Sequence, residues 1–189
     1  LAGHGRASTL LIVGAAGGVG SILIQLARQR TGLSVVATAS RAESQAWVRE
    51  LGAHAVIDHR QPLAPQLAGL GLPPVDYAIS LTHTDQHFAQ LAEVLAPQGR
   101  LALIDDPEPI DVRLLKRKSI SLHWELMFTR SLFQTEDMIA QHHLLDALAD
   151  LVDQGAVRST VQTRLGTTCA ANLKRAHAPL ESGRSVGKI

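Results

Sequence analysis

Cysteine is almost missing from this chain. Cys169 is the one cysteine, so no internal disulfide can form and no zinc site, structural or catalytic, can be assembled from thiolates within this stretch. A reducing, cytoplasmic setting is the expectation. Aromatic residues are scarce too, at 3%, and the formal net charge is only +1. With the aromatics scattered rather than interleaved with Lys and Arg, nothing resembles the electrostatic footprint of a protein that binds nucleic acid or a membrane surface. No apolar run approaches the roughly 20 residues that span a bilayer. The longest candidate, around Ile22 to Ala27, is interrupted by Gln25 and Arg28. Position 1 is Leu rather than an initiator Met, and Leu1 to Ser8 contains no apolar core of a signal peptide. The chain reads as a piece of a longer protein that stops at Gly187-Lys188-Ile189, where a strand is expected to begin. The expected partner is a small molecule, with a homodimer left open.

Apolar residues, by contrast, are plentiful. At 46% hydrophobic over 189 residues, the chain has enough apolar surface for one well-buried core, and residues 1–189 are expected to form a single domain. Strand-length apolar runs alternate with segments of helical period, the pattern of a parallel sheet covered by helices on both faces. Thr9 to Ala15 is continuously apolar, as a strand buried on both sides should be. Gly18 to Gln29 carries Ile22, Leu23, Leu26 and Ala27 on one helical stripe, and Gly32 supplies a stop. Ser34 to Thr38 predicts a second strand, Ala42 to Leu51 a helix, and Ala55 to Asp58 a third strand. Pro62 to Pro74 holds four prolines and two glycines, so any helix there is short.

The second half continues the alternation. Val75 to Leu81 predicts a strand, Asp85 to Leu95 a helix ending at Pro97-Gln98-Gly99, Arg100 to Asp105 a strand, and Ile120 to Met127 a sixth. A Phe- and Thr-containing loop precedes a long helix over Thr135 to Gln154, with Met138, Ile139, His142, Leu145, Leu148, Ala149 and Val152 along one side, ending at Gly155. A strand over Thr160 to Leu165, a helix over Ala170 to Leu180 and a strand opening at Val186 complete the expectation of a doubly wound α/β domain of the Rossmann type.

The strongest local signal is Ala15-Ala16-Gly17-Gly18-Val19-Gly20, where the first strand hands over to the first helix. In that context the glycines have a mechanism. Gly17 lets backbone approach a pyrophosphate, Gly20 lets the helix pack closely on the strand, and first-turn N–H groups, including those of Gly18 and Val19, point at the anion. Ala15 stands where the dinucleotide fingerprint has its first glycine. The alternative is a tight strand-to-helix turn with no ligand.

Cofactor preference is read at the end of the second strand. An NAD site places a carboxylate there for the adenosine ribose hydroxyls. This chain has Thr38-Ala39-Ser40-Arg41, with the next carboxylate, Glu43, already inside the following helix. A serine hydroxyl and a guanidinium suit a 2′-phosphate, so NADPH is expected over NADH. Ser40 could instead cap the helix with Arg41 a solvated first-turn residue, and the two roles can coexist. His59-Arg60, ending the third strand, could add a second cation. Position beyond the strand ends also nominates Leu81, Thr82 and His83, together with Ile104 and Asp105, as walls around the nicotinamide ribose and ring.

Other groupings carry less. His142 and His143 are adjacent on a helix and diverge by about 100°, which suits a surface pair better than metal ligation. Asp105-Asp106-Pro107-Glu108 reads as an acidic turn, and Lys116-Arg117-Lys118 as a solvated connector. Gly183 to Lys188 imitates a Walker loop but is one residue short and is followed by Ile189. The sole tyrosine, Tyr77, has Leu81 four residues on, not the Lys that short-chain dehydrogenase chemistry uses. A methyltransferase would want an acidic residue closing the second strand, where Ala39 to Arg41 stand.

At these residues the chain resembles the medium-chain dehydrogenase/reductase superfamily, within it the zinc-binding alcohol dehydrogenase family close to the NADPH:quinone oxidoreductases. The resemblance rests on the glycine turn with Ile24-Gln25-Leu26-Ala27, on Leu51-Gly52-Ala53 before Val56-Ile57-Asp58, on the Leu95 to Gly99 turn, and on Glu181-Ser182-Gly183-Arg184 with Gly187-Lys188-Ile189. Trp124-Glu125-Leu126-Met127-Phe128 and Phe133-Gln134-Thr135 look specific to one subgroup. The resemblance implies a separate N-terminal GroES-like domain holding the substrate pocket and, in zinc-dependent members, the metal. It implies hydride transfer between NADPH and a quinone, enone, aldehyde or alcohol, with no catalytic residue assigned here. A non-catalytic module that senses NAD(P) is the alternative from another class.

Overall fold

The computed structural model describes residues 8–189. The preceding residues, part of the stretch read for a signal segment, lie outside the described residues. Thr9–Val13 forms β1, buried at every position. Its odd and even side chains enter different cores, because alternate residues of a strand point to opposite faces. Leu11 and Val13 join one cluster, Leu10 and Ile12 the other. That double burial is why the run is continuously apolar, and each such aliphatic side chain contributes about 1.5–3 kcal/mol on leaving water.

The chain then alternates through α1 (Gly18–Arg30), β2 (Ser34–Thr38), α2 (Ala42–Glu50), β3 (Ala55–Ile57), the short α3 (Leu63–Ala68), β4 (Val75–Ser80), α4 (Thr84–Val94), β5 (Leu95–Leu103) and β6 (Ser121–Trp124). The strands form one sheet in the order β3-β2-β1-β4-β5-β6, with every neighbouring pair parallel. This is the doubly wound α/β architecture expected from the alternation. The chain reverses its direction of winding beside β1, so β1 and β4 diverge at the switch point where such sheets bind ligands. Ile24 and Ala27 of α1 and Trp47 and Val48 of α2 cover one face. Phe88 and Leu91 of α4, with Leu63, Leu115 and Ile120, cover the other.

Buried polar groups on the first face are satisfied internally, as burial demands. Trp47 Nε1 donates to Ser21 Oγ at 2.8 Å. The Gln25 amide exchanges two hydrogen bonds with the Arg158 backbone, at 3.2 and 2.9 Å. The Arg158 guanidinium lies 5.1 Å from the Trp47 ring and pairs with Glu50 at 2.7 Å. These contacts tie the segment around buried Val157 to α1 and α2.

Several expectations need correction. The turn expected at Pro97-Gln98-Gly99 is an irregularity within β5, where Gln98 has φ +63° and the register with β4 shifts. Of the expected solvated connector, Lys116 and Arg117 are exposed, but Lys118 is not. It ends a 3-10 helix, Val112–Lys118, and Lys118 Nζ donates to the carbonyls of Ala92 and Leu95 at 3.2 and 2.8 Å and to that of Glu93, satisfying the open end of α4. The loop expected after Met127 contains a short helix, α5 (Thr129–Phe133). The long helix, α6 (Ala140–Asp153), starts later than its apolar stripe, because Thr135 Oγ1 donates to Asp137 Oδ1 at 2.7 Å and holds a turn there.

That stripe has the expected period but meets no core. None of the α6 residues is buried, and Leu144 and Leu145 are 63% and 54% exposed. Lastly, the strands expected over Thr160 to Leu165 and from Val186 reduce to two isolated bridges, Gly17 with Gly187 and Val161 with Lys188. Gly187 has φ +63°, a left-handed value that interrupts a strand. Between these bridges α7 spans Ala170–Glu181. Among the described residues no helix is long and apolar enough to cross a membrane.

Candidate functional site

The turn from β1 into α1 is built on glycine, but not with its special conformation where the fingerprint alignment put it. Gly14, not Ala15, takes the left-handed conformation, φ +77°, and a Cβ there would stand 2.8 Å from Thr82 Cγ2. Its N–H donates to Thr38 Oγ1 at 3.2 Å, which ties the turn to the end of β2. Ala15 is fully buried. At Gly20 a Cβ would lie 2.3 Å from the Ala15 carbonyl oxygen, so α1 approaches β1 more closely than any side chain permits. Gly17 caps α1 in extended backbone with no side-chain bond to the first turn. The amides of that turn therefore keep free hydrogen-bonding capacity and the positive end of the helix dipole. A Cβ on Gly17 would meet only the Gly14 oxygen, at 3.6 Å, so the protein leaves open space above this backbone.

That space belongs to a cleft of about 400 Å³ beyond the carboxyl ends of the central strands. Ala16, Gly17, Gly18 and Val19 form its floor; Ser40, Arg41 and His59 stand on the β2–β3 side; Leu81, Thr82 and Ile104 stand on the β4–β5 side. These ten sequence-nominated residues thus meet around one cavity, and none of its lining residues is a carboxylate.

Arg41 occupies the N-cap position of α2. The box closing this helix end is made by Ser44, whose hydroxyl donates to the Arg41 carbonyl at 2.9 Å and accepts from the Arg41 N–H at 3.3 Å. Ser40 is therefore not the cap, and Arg41 is not a first-turn residue. The Arg41 side chain donates from Nη2 to the Arg184 carbonyl at 2.7 Å, leaving four of the five guanidinium N–H groups for other acceptors.

The second cation expected at His59-Arg60 is not available as one. Arg60 pairs with Asp58, Nη2 to Oδ2 at 2.7 Å, and bonds the Ser40 carbonyl at 2.6 Å. This pairing holds the Asp58 carboxyl below its ordinary range. His59 is half-buried, and burial lowers its pKa, keeping the ring neutral. Its ring stands edge-on to His87 with centroids 5.8 Å apart. The Nδ1 atoms of both rings are buried without a hydrogen-bond partner. Both residues line a second cavity of about 290 Å³ that adjoins the first at Gly14, Thr82 and His83.

On the opposite wall His83 adopts a left-handed backbone, φ 50° and ψ 40°, at the start of α4. Asp105 was nominated as a wall of the site but faces away from it. Its carboxylate accepts from the Thr84 N–H at 3.0 Å and from Thr84 Oγ1 at 2.5 Å, capping α4. Only Ile104 of that pair lines the cleft. Sequence reasoning missed Gly14 and Thr38, for which the tight β1–α1 turn was the available signal. It also missed Gly183 and Ser185, which reach the cleft from far along the chain and whose loop reads in the sequence only as an imperfect Walker match. Ser185 Oγ is buried there with no hydrogen-bond partner.

The family model described as zinc-binding dehydrogenase matches residues 51–189. A Staphylococcus aureus zinc-type alcohol dehydrogenase-like protein is 35% identical over 182 residues, covering 96% of this chain and 54% of that protein. A Rhizobium etli protein described as a candidate zinc-dependent alcohol dehydrogenase superposes with TM-score 0.93 at 56% identity, over 97% of this chain and 54% of that one. A mycobacterial protein solved with NADPH superposes at TM-score 0.78 and 29% identity, over 99% of this chain and 58% of that one. The Escherichia coli quinone oxidoreductase, also solved with NADPH, shares the fold at TM-score 0.78 and 20% identity, over 97% of this chain and 57% of that one. The chain spans about half the length of the relatives it matches. Zinc is implied by the family's description, yet among the described residues no group of three or more His, Cys, Asp or Glu is placed to hold a metal ion. A family match over most of the length, joined to near-superposition on a relative at more than half identity, settles the kinship: this chain belongs to the zinc-binding dehydrogenase family of medium-chain dehydrogenases/reductases.

Proposed function

We propose that the chain binds NADPH and forms the cofactor half of an oxidoreductase that moves hydride between NADPH and a quinone, enone, aldehyde or alcohol. The observation that carries this reading is the cleft itself: backbone glycines under open space at a helix N-terminus, a serine and a guanidinium where a ribose carboxylate would stand, and no acidic lining residue. Ala16 to Val19 would hold the pyrophosphate, Ser40 and Arg41 the 2′-phosphate, and His59 would flank the adenosine end. Leu81, Thr82 and Ile104 would wall the nicotinamide ribose and ring. The relatives solved with NADPH support the same cofactor. Hydride chemistry is supplied by the nicotinamide, so these residues bind, orient and shield it rather than react.

Substrate binding and any zinc would rest on a separate GroES-like region, with residues 1–189 the nucleotide-binding domain. Kinship with dehydrogenases favours this enzyme reading over an NAD(P)-sensing module. Titration calorimetry of the intact protein with NADPH and NADH, beside a Gly17→Val variant, tests the proposal. We expect NADPH to bind more tightly than NADH, and Gly17→Val to lose both while its circular dichroism stays unchanged. Retained affinity in a folded Gly17→Val protein would remove the pyrophosphate assignment.

A further inference from the structure

The segment from Gly183 to Lys188 borders the cleft through Gly183 and Ser185, and its lysine has no role in the reading above. Gly187 pairs with Gly17 and donates its N–H to the Ala16 carbonyl at 2.8 Å. The Lys188 backbone is held on its other side: its N–H donates to the Thr160 carbonyl at 2.8 Å, and its carbonyl accepts from the Gln162 N–H at 2.8 Å. The backbone is thereby fixed beside the glycine turn, and the side chain runs over the start of α1. A Cβ built on Gly18 would meet Lys188 Cε at 2.2 Å and Nζ at 2.6 Å. The missing side chain of Gly18 is what admits the lysine. No acidic residue pairs with this ammonium among the described residues, and none lines the adjoining cleft. The same segment places the buried, unpartnered Ser185 hydroxyl in the cleft and anchors Arg41 through the Arg184 carbonyl.

We infer that Lys188 is a cofactor-binding residue, its ammonium closing over the glycine-rich turn as the counter-charge to the dinucleotide pyrophosphate. The inference rests on the dinucleotide reading proposed above. A helix N-terminus contributes partial positive charge and amide donors, but a pyrophosphate carries two full negative charges. A mobile ammonium delivered from a pinned backbone can neutralise one of them without a fixed donor geometry. The division of labour follows from placement: Lys188 serves the linkage common to both cofactors, whereas Arg41 serves the 2′-phosphate.

The test measures Kd of the intact protein and its Lys188→Gln and Lys188→Arg variants for NADPH, NADH and adenosine 2′-monophosphate, which has no pyrophosphate. Lys188→Gln is expected to weaken NADPH and NADH alike, by about tenfold, the scale of one charge-assisted bond at an exposed site. It should also flatten the salt dependence of binding and leave the monophosphate unchanged, with Lys188→Arg restoring affinity. Unchanged binding of both dinucleotides to Lys188→Gln overturns the inference while the dinucleotide reading stands. Loss for NADPH and the monophosphate but not NADH overturns it too, since the lysine would then read the 2′-phosphate. A wild-type protein that binds neither dinucleotide sinks the reading and the inference together.

Discussion

Arg41 bears most of the expected cofactor preference. Its backbone is set by the Ser44 box at the start of α2, and one of its five N–H groups is used on the Arg184 carbonyl. The guanidinium is thus oriented but not neutralised, unlike that of Arg60, which the Asp58 carboxylate occupies. Replacing Arg41 by Ala is expected to weaken NADPH binding by about 1–3 kcal/mol, the range for losing a charge-assisted hydrogen bond. NADH, lacking the 2′-phosphate, should be almost unaffected. Parallel calorimetric titrations decide the matter, and equal losses for both cofactors would show that Arg41 does not read the phosphate.

The seat of α1 on β1 depends on one absent methyl group. With the Gly20 Cβ position only 2.3 Å from the Ala15 oxygen, Gly20→Ala must push the helix off the strand or bend the turn. Either distorts a region where Ser21, Trp47, Gln25 and Arg158 are already joined by hydrogen bonds. We expect destabilisation of about 1–3 kcal/mol, typical of overpacking, read as a lower urea midpoint. Because the same shift moves the first-turn amides away from the cleft, cofactor affinity should fall with it. A variant of unchanged midpoint and affinity would show that the close approach is not needed.

His59 follows β3 and His87 lies on α4, so their contact bridges the two halves of the sheet across the switch point. Burial lowers both pKa values first of all. For His87 the neighbouring His59 and His83 lower it further while Asp85 opposes; for His59, Arg60 and His83 lower it while Asp58 opposes. Above about pH 6.5, the ordinary histidine value, both rings are neutral folded or unfolded and contribute no pH dependence. As the pH falls below that, the unfolded chain takes up protons first, so stability drops through the window between the ordinary value and the lowered folded ones. Urea midpoints should therefore fall as the pH drops below about 6.5, and fall less in a His59→Phe, His87→Leu double variant. An identical fall in that variant would place the acid sensitivity elsewhere.

Element order was legible along the chain because buried parallel strands must be apolar on both faces and their helices on one, and both periods survive in a linear string. The glycine turn was legible for a similar reason: missing side chains at a strand-to-helix junction are a local property. The nominations at Ser40, Arg41, Leu81, Thr82 and Ile104 followed from the strand-end rule and converge on one cavity. Other facts were fixed only by tertiary contact. Gly14 rather than Ala15 takes the left-handed conformation, in a turn where Thr82, just after β4, leaves no room for a Cβ. Arg60 is spent on Asp58 and the Ser40 carbonyl, and Asp105 on α4, because neighbouring chain ends supply partners that no spacing announces. The α6 stripe shows the same division: its period is written in the residues, but whether a period is buried depends on what packs against it, and α6 has no buried residue. Ser185 reaches the cleft, and Lys188 the start of α1 at Gly18, because a segment over 160 residues from the glycine turn folds back onto it. Periodicity is a property of neighbours in the chain, whereas a binding site is a property of neighbours in space.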